Sequence, residues 1–282
     1  AASSLEVSVP AELDARLRDY QREGVRWLLR LASWAPGAVL ADDMGLGKTV
    51  QALALVRERA ALGPALVVAP TSLAETWRRE CERFTPSLAP MIYRGQNRRE
   101  RLDRLGAGAL VITSYDILAR DAEALAAVEW SSRVFDEAHA LKNPEAQRSK
   151  AAGSLRGGFA LALTGTPLEN HLGELWSLVS IVLPGLLGPW KHFRARFAVP
   201  IERDGDLAAK ARLRGLLRPF LLRRTKSAVA PELPPRVEVV HPVELSAEER
   251  ALYEAERREA VDKLLAGGGE DARFAVLAAL TR

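Results

Sequence analysis

The feature that most constrains the fold of this chain is a loop at residues 41–49, which reads Ala-Asp-Asp-Met-Gly-Leu-Gly-Lys-Thr. A short apolar run, 38–41, precedes it, and a helix-forming run, 50–56, follows it. The two glycines let the backbone bend toward a ligand, and the N-terminus of the following helix presents N–H donors and partial positive charge. This order of strand, loop and helix predicts a phosphate-binding loop.

Individual residues of the loop have expected roles. The Lys48 side chain is expected to reach the β- and γ-phosphates, and the Thr49 hydroxyl to bind Mg²⁺. Asp42 stands where the pattern G-x-x-x-x-G-K-[ST] has its first glycine, so a glycine-containing turn before a helix stays open as an alternative. A dinucleotide-binding fingerprint is disfavoured, because Val50 takes the place of its third glycine. The predicted nucleotide contacts are Asp43, Met44, Gly45, Leu46, Gly47, Lys48 and Thr49.

A pair of acidic residues, Asp136 and Glu137, follows the apolar end of a predicted strand. Ligands of open α/β sheets bind at the carboxyl ends of strands. Asp136 is therefore expected to hold Mg²⁺, directly or through water, and Glu137 to orient or deprotonate the attacking water. An isolated acidic pair is usually a solvated turn, but its position after a phosphate loop favours hydrolysis of a nucleoside triphosphate, with Lys48, Asp136 and Glu137 as catalytic residues.

His139 lies in the same motif. No cysteine or second histidine is near it at metal-ligand spacing, so it is not predicted to bind a metal. We interpret it as a relay between the nucleotide site and another segment; a structural histidine is the alternative.

Short apolar runs alternate with helical segments along the chain. Strands are predicted at 38–41, 65–69, 90–93, 109–113, 133–136 and 160–164, and helices are predicted to begin near residues 19, 48, 72, 97, 145 and 170. This alternation favours an α/β fold with a mainly parallel sheet covered by helices on both faces. Residues 186–218 are predicted to be helical, with Trp190, Phe193 and Phe197 as packing residues at helical spacing. A strand is predicted at 237–240, and a capping box at Ser246 is predicted to begin a long helix that Gly267 ends.

Composition excludes several protein classes. Among 282 residues there is one cysteine, Cys81, so disulfide scaffolds and cysteine-rich zinc sites are excluded and a reducing cytoplasm fits. No apolar run is long enough to cross a membrane, and no signal peptide is visible. The net charge of +4 permits nucleic-acid binding. Arginine-rich composition is compatible with a GC-rich bacterial genome.

Several motifs, in this order, resemble those of the SWI/SNF family of DNA-translocating ATPases within helicase superfamily two. The matching stretches are 17–28 (Q motif), 41–49 (motif I), 66–73 with Trp77 and Glu80 (motif Ia), 111–116, 136–143 (motif II), 163–170 (motif III) and 219–226, which we call the exit segment. The chain departs from the usual family residue at Asp43, Ala140 and Glu169.

The resemblance implies a RecA-like lobe that uses ATP and Mg²⁺. Gln21 would read adenine, and double-stranded DNA would contact Thr71, Ser72 and Ser114, for which helix capping and turn formation are the alternatives. The residues implied to couple the two sites are His139, Thr164 and Thr166. Residues 212–226 carry six basic residues and no acid; they are expected to form a solvated face, contact phosphate or dock a second lobe.

The implied domain organisation has three parts. Residues 1–185 form the ATP-binding lobe, 186–226 a helical protrusion with the exit segment, and 227–282 a linker and the start of a truncated second RecA-like lobe. Because the family's second lobe carries the arginines that complete the ATP site, we expect the chain alone to bind nucleotide with little turnover.

The expected function is that of the first motor lobe of a DNA-dependent ATPase that translocates on double-stranded DNA and remodels protein–DNA complexes. Its expected partners are duplex DNA, the second lobe, and RNA polymerase or another DNA-bound protein, in a cytoplasmic, nucleoid-associated location without a membrane. Two alternatives stay open: a nucleic-acid helicase of another superfamily-two branch, and a nucleotide-responsive, non-catalytic scaffold on RNA polymerase.

Overall fold

A single parallel sheet organises the molecule. The computed structural model describes residues 16–165, 171–229, 242 and 244–266. In this part of the chain seven strands lie in the order β3-β4-β2-β5-β6-β1-β7, and all neighbours are parallel. The strands are β1 (Gly37–Leu40), β2 (Ala65–Ala69), β3 (Ala89–Ile92), β4 (Ala109–Ser114), β5 (Glu129–Phe135), β6 (Arg156–Leu163) and β7 (Leu221–Leu222).

Helices form most of the connections between the parallel strands, and other helices precede β1 or follow β7. They are α1 (Asp19–Ala32), α2 (Lys48–Glu58), α3 (Ala74–Phe84), α4 (Tyr115–Arg120), α5 (Ala122–Ala126), α6 (Gln147–Ser154), α7 (Leu172–Val182), α8 (Trp190–Phe193), α9 (Val199–Glu202), α10 (Leu207–Leu217), α11 (Lys226–Val229) and α12 (Ala247–Ala266).

Alternate strand residues pack into two cores, one on each face of the sheet. In β2, Leu66 and Val68 join the core under α4, α6 and α7, whereas Val67 joins the core under α1, α2 and α3. Since both faces are covered, a central strand such as β2 is a continuous apolar run rather than an alternating one. The predicted two-sided parallel sheet, a RecA-like α/β fold, is confirmed.

The predicted elements differ from the observed ones in a few places. Near residue 97 only a 3₁₀ turn forms, Arg99–Arg104, and the Arg98 and Arg99 side chains there bind Asp121. The short helices α4 and α5 were not predicted. The added strand β7 comes from the exit segment and pairs with β1 at the sheet edge.

The aromatic residues after the sheet pack against one another, as predicted. Trp176, Trp190, Phe193 and Phe197 form a chain in which successive ring centroids lie 5.4 to 5.9 Å apart. Phe193 and Phe197 are buried. This part of the chain therefore uses its aromatic rings for packing.

The chain divides into two compact units, Ala1–Leu233 and Pro234–Arg282. In the second unit, the Ser246 amide donates to Glu249 Oε2 at 2.9 Å, and the Glu249 amide donates to Ser246 Oγ at 3.3 Å. The predicted capping box at the start of α12 is thus confirmed; the predicted strand at 237–240 and Gly267 lie outside the described residues. Among the helices that the structure describes, none has the length and apolar character that a membrane span requires.

Candidate functional site

Three strand ends bring the predicted site residues together. β1, β6 and β5 are consecutive in the sheet, and the loops after them begin at Ala41, Thr164 and Asp136. The loops after β1 and β5 line an open cleft of about 530 Å³, whose walls include Gln21, Met44, Gly45, Gly47, Lys48, Thr49, Asp136 and Glu137. The parallel sheet thus brings Lys48 and Asp136, which are 88 residues apart in sequence, to one cleft.

The phosphate loop has the backbone shape that its glycines predict. Gly45 and Gly47 have φ values of 83° and 74°, a left-handed conformation in which residues with a side chain are strained. Gly47 precedes α2, and a Cβ atom there would lie 2.3 Å from Gln21 Nε2. The loop therefore needs glycine at 47 both for its turn and for its contact with α1.

Lys48 is held ready at the base of the loop. Its Nζ donates to the carbonyl oxygens of Asp42 at 2.7 Å and Asp43 at 3.2 Å. Burial lowers the pKa of Lys48, and the nearby carboxylates of Glu137, Asp42 and Asp136 oppose this shift. A partly desolvated ammonium group fits a phosphate ligand, because the ligand's charge offsets the desolvation.

Asp136 is a buried carboxylate whose direct partners are neutral. Trp77 Nε1 donates to its Oδ2 at 2.8 Å, and the Glu137 amide donates to its Oδ1 at 2.9 Å. The Tyr115 hydroxyl holds the backbone by donating to the Asp136 carbonyl oxygen at 2.7 Å. Burial raises the pKa of Asp136, although the two hydrogen bonds oppose the shift.

This donor set fits Mg²⁺. No group of three or more His, Cys, Asp and Glu side chains that could hold a metal occurs in the described part of the chain. Mg²⁺ characteristically takes one or two protein carboxylates together with phosphate oxygens and water. Asp136, with the Thr49 hydroxyl across the cleft, offers that kind of site.

Glu137 has an unusual backbone conformation. Its φ is 47°, and it is the only non-glycine residue with positive φ in the part of the chain that the structure describes. Such a conformation costs about 1–3 kcal/mol and persists where the surrounding structure imposes it. Its buried Oε2 has no hydrogen-bond partner among the residues that the structure describes. His139 Nδ1 lies 3.3 Å from this oxygen, within ion-pair distance. The Glu137 residue nevertheless lines the cleft beside Lys48 and Asp136.

The profile of the SNF2-related domain family matches residues 20–281. The chain belongs to the SNF2-related domain family. It is 39% identical, over 98% of its length, to a Bacillus subtilis protein named as the ATP-dependent helicase/translocase YwqA, and 40% identical, over 85% of its length, to the lymphoid-specific helicase of Homo sapiens. It spans 31% of each relative.

Solved structures show the same relationship. The SWI2/SNF2 ATPase core of Sulfolobus solfataricus in complex with double-stranded DNA matches with a TM-score of 0.72 and 34% identity. That match covers 98% of this SNF2-related chain and 59% of the solved chain. The fold and the family are therefore the same, whereas a large part of each matched protein has no counterpart here.

Gln21 lies against the phosphate loop of the SNF2-related chain. Its Nε2 donates to the Leu46 carbonyl oxygen at 3.2 Å, and its Oε1 accepts from the Arg18 amide at 2.9 Å. The position at the cleft agrees with a nucleotide contact, while recognition of adenine stays a prediction.

The predicted coupling residues lie at three places. His139 follows Glu137 in a 3₁₀ turn, and 54% of its side chain is exposed. Thr164 is fully buried at the end of β6, where its amide donates to the Leu40 carbonyl oxygen at 3.1 Å. Thr166 lies outside the described residues.

The predicted DNA contacts are not equivalent. Thr71 and Ser72 are exposed in a 3₁₀ turn directly after β2. Ser114 is buried, and its Oγ accepts the Ile117 amide at 3.3 Å as the N-cap of α4. The capping alternative thus describes the Ser114 side chain, and its contact with DNA stays a prediction that this geometry disfavours.

Sequence reasoning left some functional side chains without a role. Trp77 was assigned to motif Ia, but its bond to Asp136 required the fold, because 59 residues separate them. Arg224 was assigned to a basic face, yet its guanidinium is mostly buried against Asp42. The available signal was Asp42 itself, a carboxylate in the place of the usual glycine.

Proposed function

We propose that this chain is the nucleotide-binding lobe of an ATP-hydrolysing motor that moves along double-stranded DNA and remodels protein–DNA complexes. The observation that carries the proposal is the convergence of Lys48, Asp136 and Glu137 on one cleft of a chain in the SNF2-related family. A non-catalytic scaffold has no need for all three.

Each residue has a distinct task in the proposed reaction. Lys48 would turn from the loop carbonyls to the β- and γ-phosphates, and Thr49 and Asp136 would hold Mg²⁺. When bound, Mg²⁺ supplies charge neutralisation at the phosphate oxygens. Glu137, whose side chain lines the cleft, would orient the attacking water, which is positioning work of the kind that phosphoryl transfer requires.

Binding to duplex DNA is supported by the matched Sulfolobus structure, which is described as a complex with double-stranded DNA. In this chain the exposed turn at Thr71 and Ser72 leads into α3, and α3 carries Trp77, which binds Asp136. We propose that DNA binding at this turn affects the position of Asp136, because α3 joins the turn to the Trp77–Asp136 hydrogen bond.

The proposed motor needs a second RecA-like lobe. Arginines supplied to a phosphoryl-transfer site can contribute roughly 10³ to 10⁵ in rate, so little turnover is expected from these residues alone. The proteins that the motor would displace or remodel are RNA polymerase or another DNA-bound protein. The proposed location is the bacterial cytoplasm, in association with the nucleoid.

Titration with a fluorescent ATP analogue tests the nucleotide site. We expect Mg²⁺-dependent binding by the wild-type chain that Lys48→Ala abolishes. Lys210→Ala, at an exposed position of α10, is the matched control and should bind normally. Equal binding by the two variants would contradict the proposed site.

Competition between duplex and single-stranded DNA tests the substrate. Duplex preference with a strong salt dependence is expected, because the contacts would be made to the phosphate backbone. A strong preference for single strands would instead indicate a helicase of another branch. Robust DNA-stimulated turnover by this chain, abolished by Lys48→Ala, would contradict the need for a second lobe.

A further inference from the structure

The exit segment lies directly against the phosphate loop. β7 pairs with β1, and the pairing continues past the end of both strands: the Ala41 amide donates to the Leu222 carbonyl oxygen at 2.7 Å, and the Asp43 amide donates to the Arg224 carbonyl oxygen at 3.0 Å. The Lys226 amide then donates to Asp43 Oδ2 at 3.0 Å. The loop that would hold phosphate is therefore also a strand-like partner of the exit segment.

A buried ion pair fastens this contact. Asp42 is fully buried, and only 12% of the Arg224 side chain is exposed. The backbone amide and Nε of Arg224 donate to Asp42 Oδ1 at 3.1 and 3.0 Å, and its Nη2 pairs with Oδ2. This bidentate geometry, with two parallel N–H···O bonds, is the strongest arrangement of an arginine–carboxylate pair.

The same guanidinium reaches two more elements. Its Nη2 donates to Gln51 Oε1 at 2.8 Å in α2, and its Nη1 donates to the Tyr20 carbonyl oxygen in α1. Gln51 is itself buried and donates to the Gly47 carbonyl oxygen at 3.3 Å. Arg224 thus joins the helix that carries Gln21, both ends of the phosphate loop and the exit segment.

A glycine in α1 is explained by this cluster. A Cβ atom at Gly24 would lie 2.0 Å from Gln51 Oε1 and 2.8 Å from Arg224 Nη2. Any larger residue at position 24 would therefore clash with the Gln51–Arg224 contact. Glycine is required there, although glycine inside a helix costs about 1 kcal/mol relative to alanine.

We infer that Arg224 is a positioning residue that keeps the phosphate loop in its nucleotide-binding shape and couples nucleotide occupancy to the exit segment. The inference rests on the proposed nucleotide site. Because the loop and the exit segment share the Asp42–Arg224 pair and the Asp43 contacts, a change in one shifts the hydrogen bonds of the other. Asp42, in the place of the usual glycine, serves this attachment rather than the phosphates.

The first test compares two arginine–aspartate pairs. Arg98 Nε binds Asp121 Oδ2 at 2.6 Å, and Asp121 has no exposed side-chain surface. Asp121 packs beside β3, five strands from β1 in the sheet order, or roughly 24 Å at the usual strand spacing. Arg98→Gln is therefore a control that breaks a similar pair far from the loop.

We expect Arg224→Gln to weaken binding of Mg²⁺ and a fluorescent ATP analogue at least tenfold, whereas Arg98→Gln changes it less than twofold, even though both variants lower the unfolding temperature. Arg224→Lys, which keeps the charge but loses the bidentate geometry, should give an intermediate loss. If Arg224→Gln fails to fold, Arg224→Lys and Asp42→Asn provide the same comparison. Affinities equal to that of Arg98→Gln would overturn the inference.

The second test follows the coupling directly. In the wild-type chain, the analogue should slow hydrogen exchange of the Lys226 amide, and Arg224→Lys should reduce this protection. The Tyr93 amide, in the region of the control pair, should not respond. If the exchange rate of the Lys226 amide is the same with and without the analogue, the inference is overturned and the proposed function stands. If the wild-type chain binds no nucleotide, both are contradicted.

Discussion

Two buried aspartates in this molecule have opposite surroundings. Asp121 accepts hydrogen bonds from Arg98, Arg99 and the Tyr93 hydroxyl. Burial raises the pKa of Asp121, but these three partners outweigh it and lower the pKa to about 2. Among the described residues, Asp136 accepts hydrogen bonds from the neutral Trp77 indole and the Glu137 amide alone, and burial raises its pKa.

The difference separates a structural carboxylate from a binding carboxylate. A buried charge is stable when a cation pairs with it and costly when none does. The charge of Asp121 is balanced by the guanidinium groups of Arg98 and Arg99. Asp136 has no ion-pair partner in the part of the chain that the structure describes, and it lies in the cleft beside Lys48 and Thr49. We interpret Asp136 as the carboxylate that binds Mg²⁺. Substitution of Asp121 should therefore mainly lower the stability of the fold, whereas substitution of Asp136 should mainly weaken Mg²⁺ binding.

The largest effect is expected on stability at Asp121. Asp121→Ala removes the acceptor of two arginines and of the Tyr93 hydroxyl. Breaking a buried pair costs about 3–5 kcal/mol, but Arg99 is 63% exposed and can be hydrated, so we expect a loss of about 2–3 kcal/mol in the free energy of unfolding. Urea unfolding measures it; a loss below about 1 kcal/mol would show that the pair is dispensable.

The next effect concerns the indole that holds Asp136. Trp77→Phe removes the N–H donor while keeping an aromatic ring, and loss of a residue that orients a metal ligand typically costs 10- to 100-fold in metal affinity. We expect the Mg²⁺ concentration needed for ATP binding to rise about tenfold.

A matched control for that variant is a second buried tryptophan, Trp130 in β5. Trp130 is equally buried, and its Nε1 donates to the Leu125 carbonyl oxygen at 2.8 Å. Trp130→Phe should lower the unfolding temperature without changing the Mg²⁺ requirement. The same shift in both variants would mean that Trp77 only supports packing.

The acid dependence of stability should also distinguish the two aspartates. The folded pKa of Asp121, about 2, lies below its ordinary value of 3.8, so its ionised form stabilises the fold. That contribution is fully present above about pH 5 and disappears as the pH falls through about 2. The stability difference between wild type and Asp121→Asn should therefore shrink between pH 5 and pH 2.5 in urea unfolding; a constant difference would contradict the ion-pair account.

The smallest effect is expected for Asp136→Asn without nucleotide. Since the folded pKa of Asp136 is raised, its ionised form opposes folding at neutral pH. The amide keeps an acceptor for Trp77 and carries no charge. We expect a change in the free energy of unfolding of less than about 1 kcal/mol, in either direction. A loss as large as that of Asp121→Ala would end the distinction between the two carboxylates.

Local patterns predicted strands β1 to β6, the main helices and the capping box, because each depends on residues a few positions apart. The two-residue strand β7 was not predicted, because it forms only by pairing with β1. Lys48, Asp136 and Glu137 could be predicted to meet because parallel strands end at one edge. The Trp77–Asp136 and Asp42–Arg224 bonds could not, since they join residues 59 and 182 positions apart through packing angles that a pattern does not encode. Ser114 shows the opposite case. Its hydroxyl oxygen accepts the Ile117 amide as a helix cap, and this local role competes with the DNA contact that the resemblance implied.

The most direct test of the central claim is the ATP affinity of wild type and Asp136→Asn, measured by calorimetry with saturating Mg²⁺ and again with a chelator. We expect Mg²⁺ to tighten ATP binding by the wild type roughly 100-fold, the upper end of the loss that perturbing a metal site typically causes. Binding by Asp136→Asn should be nearly unchanged by Mg²⁺. An equal effect of Mg²⁺ on both proteins would contradict the claim that Asp136 awaits the metal.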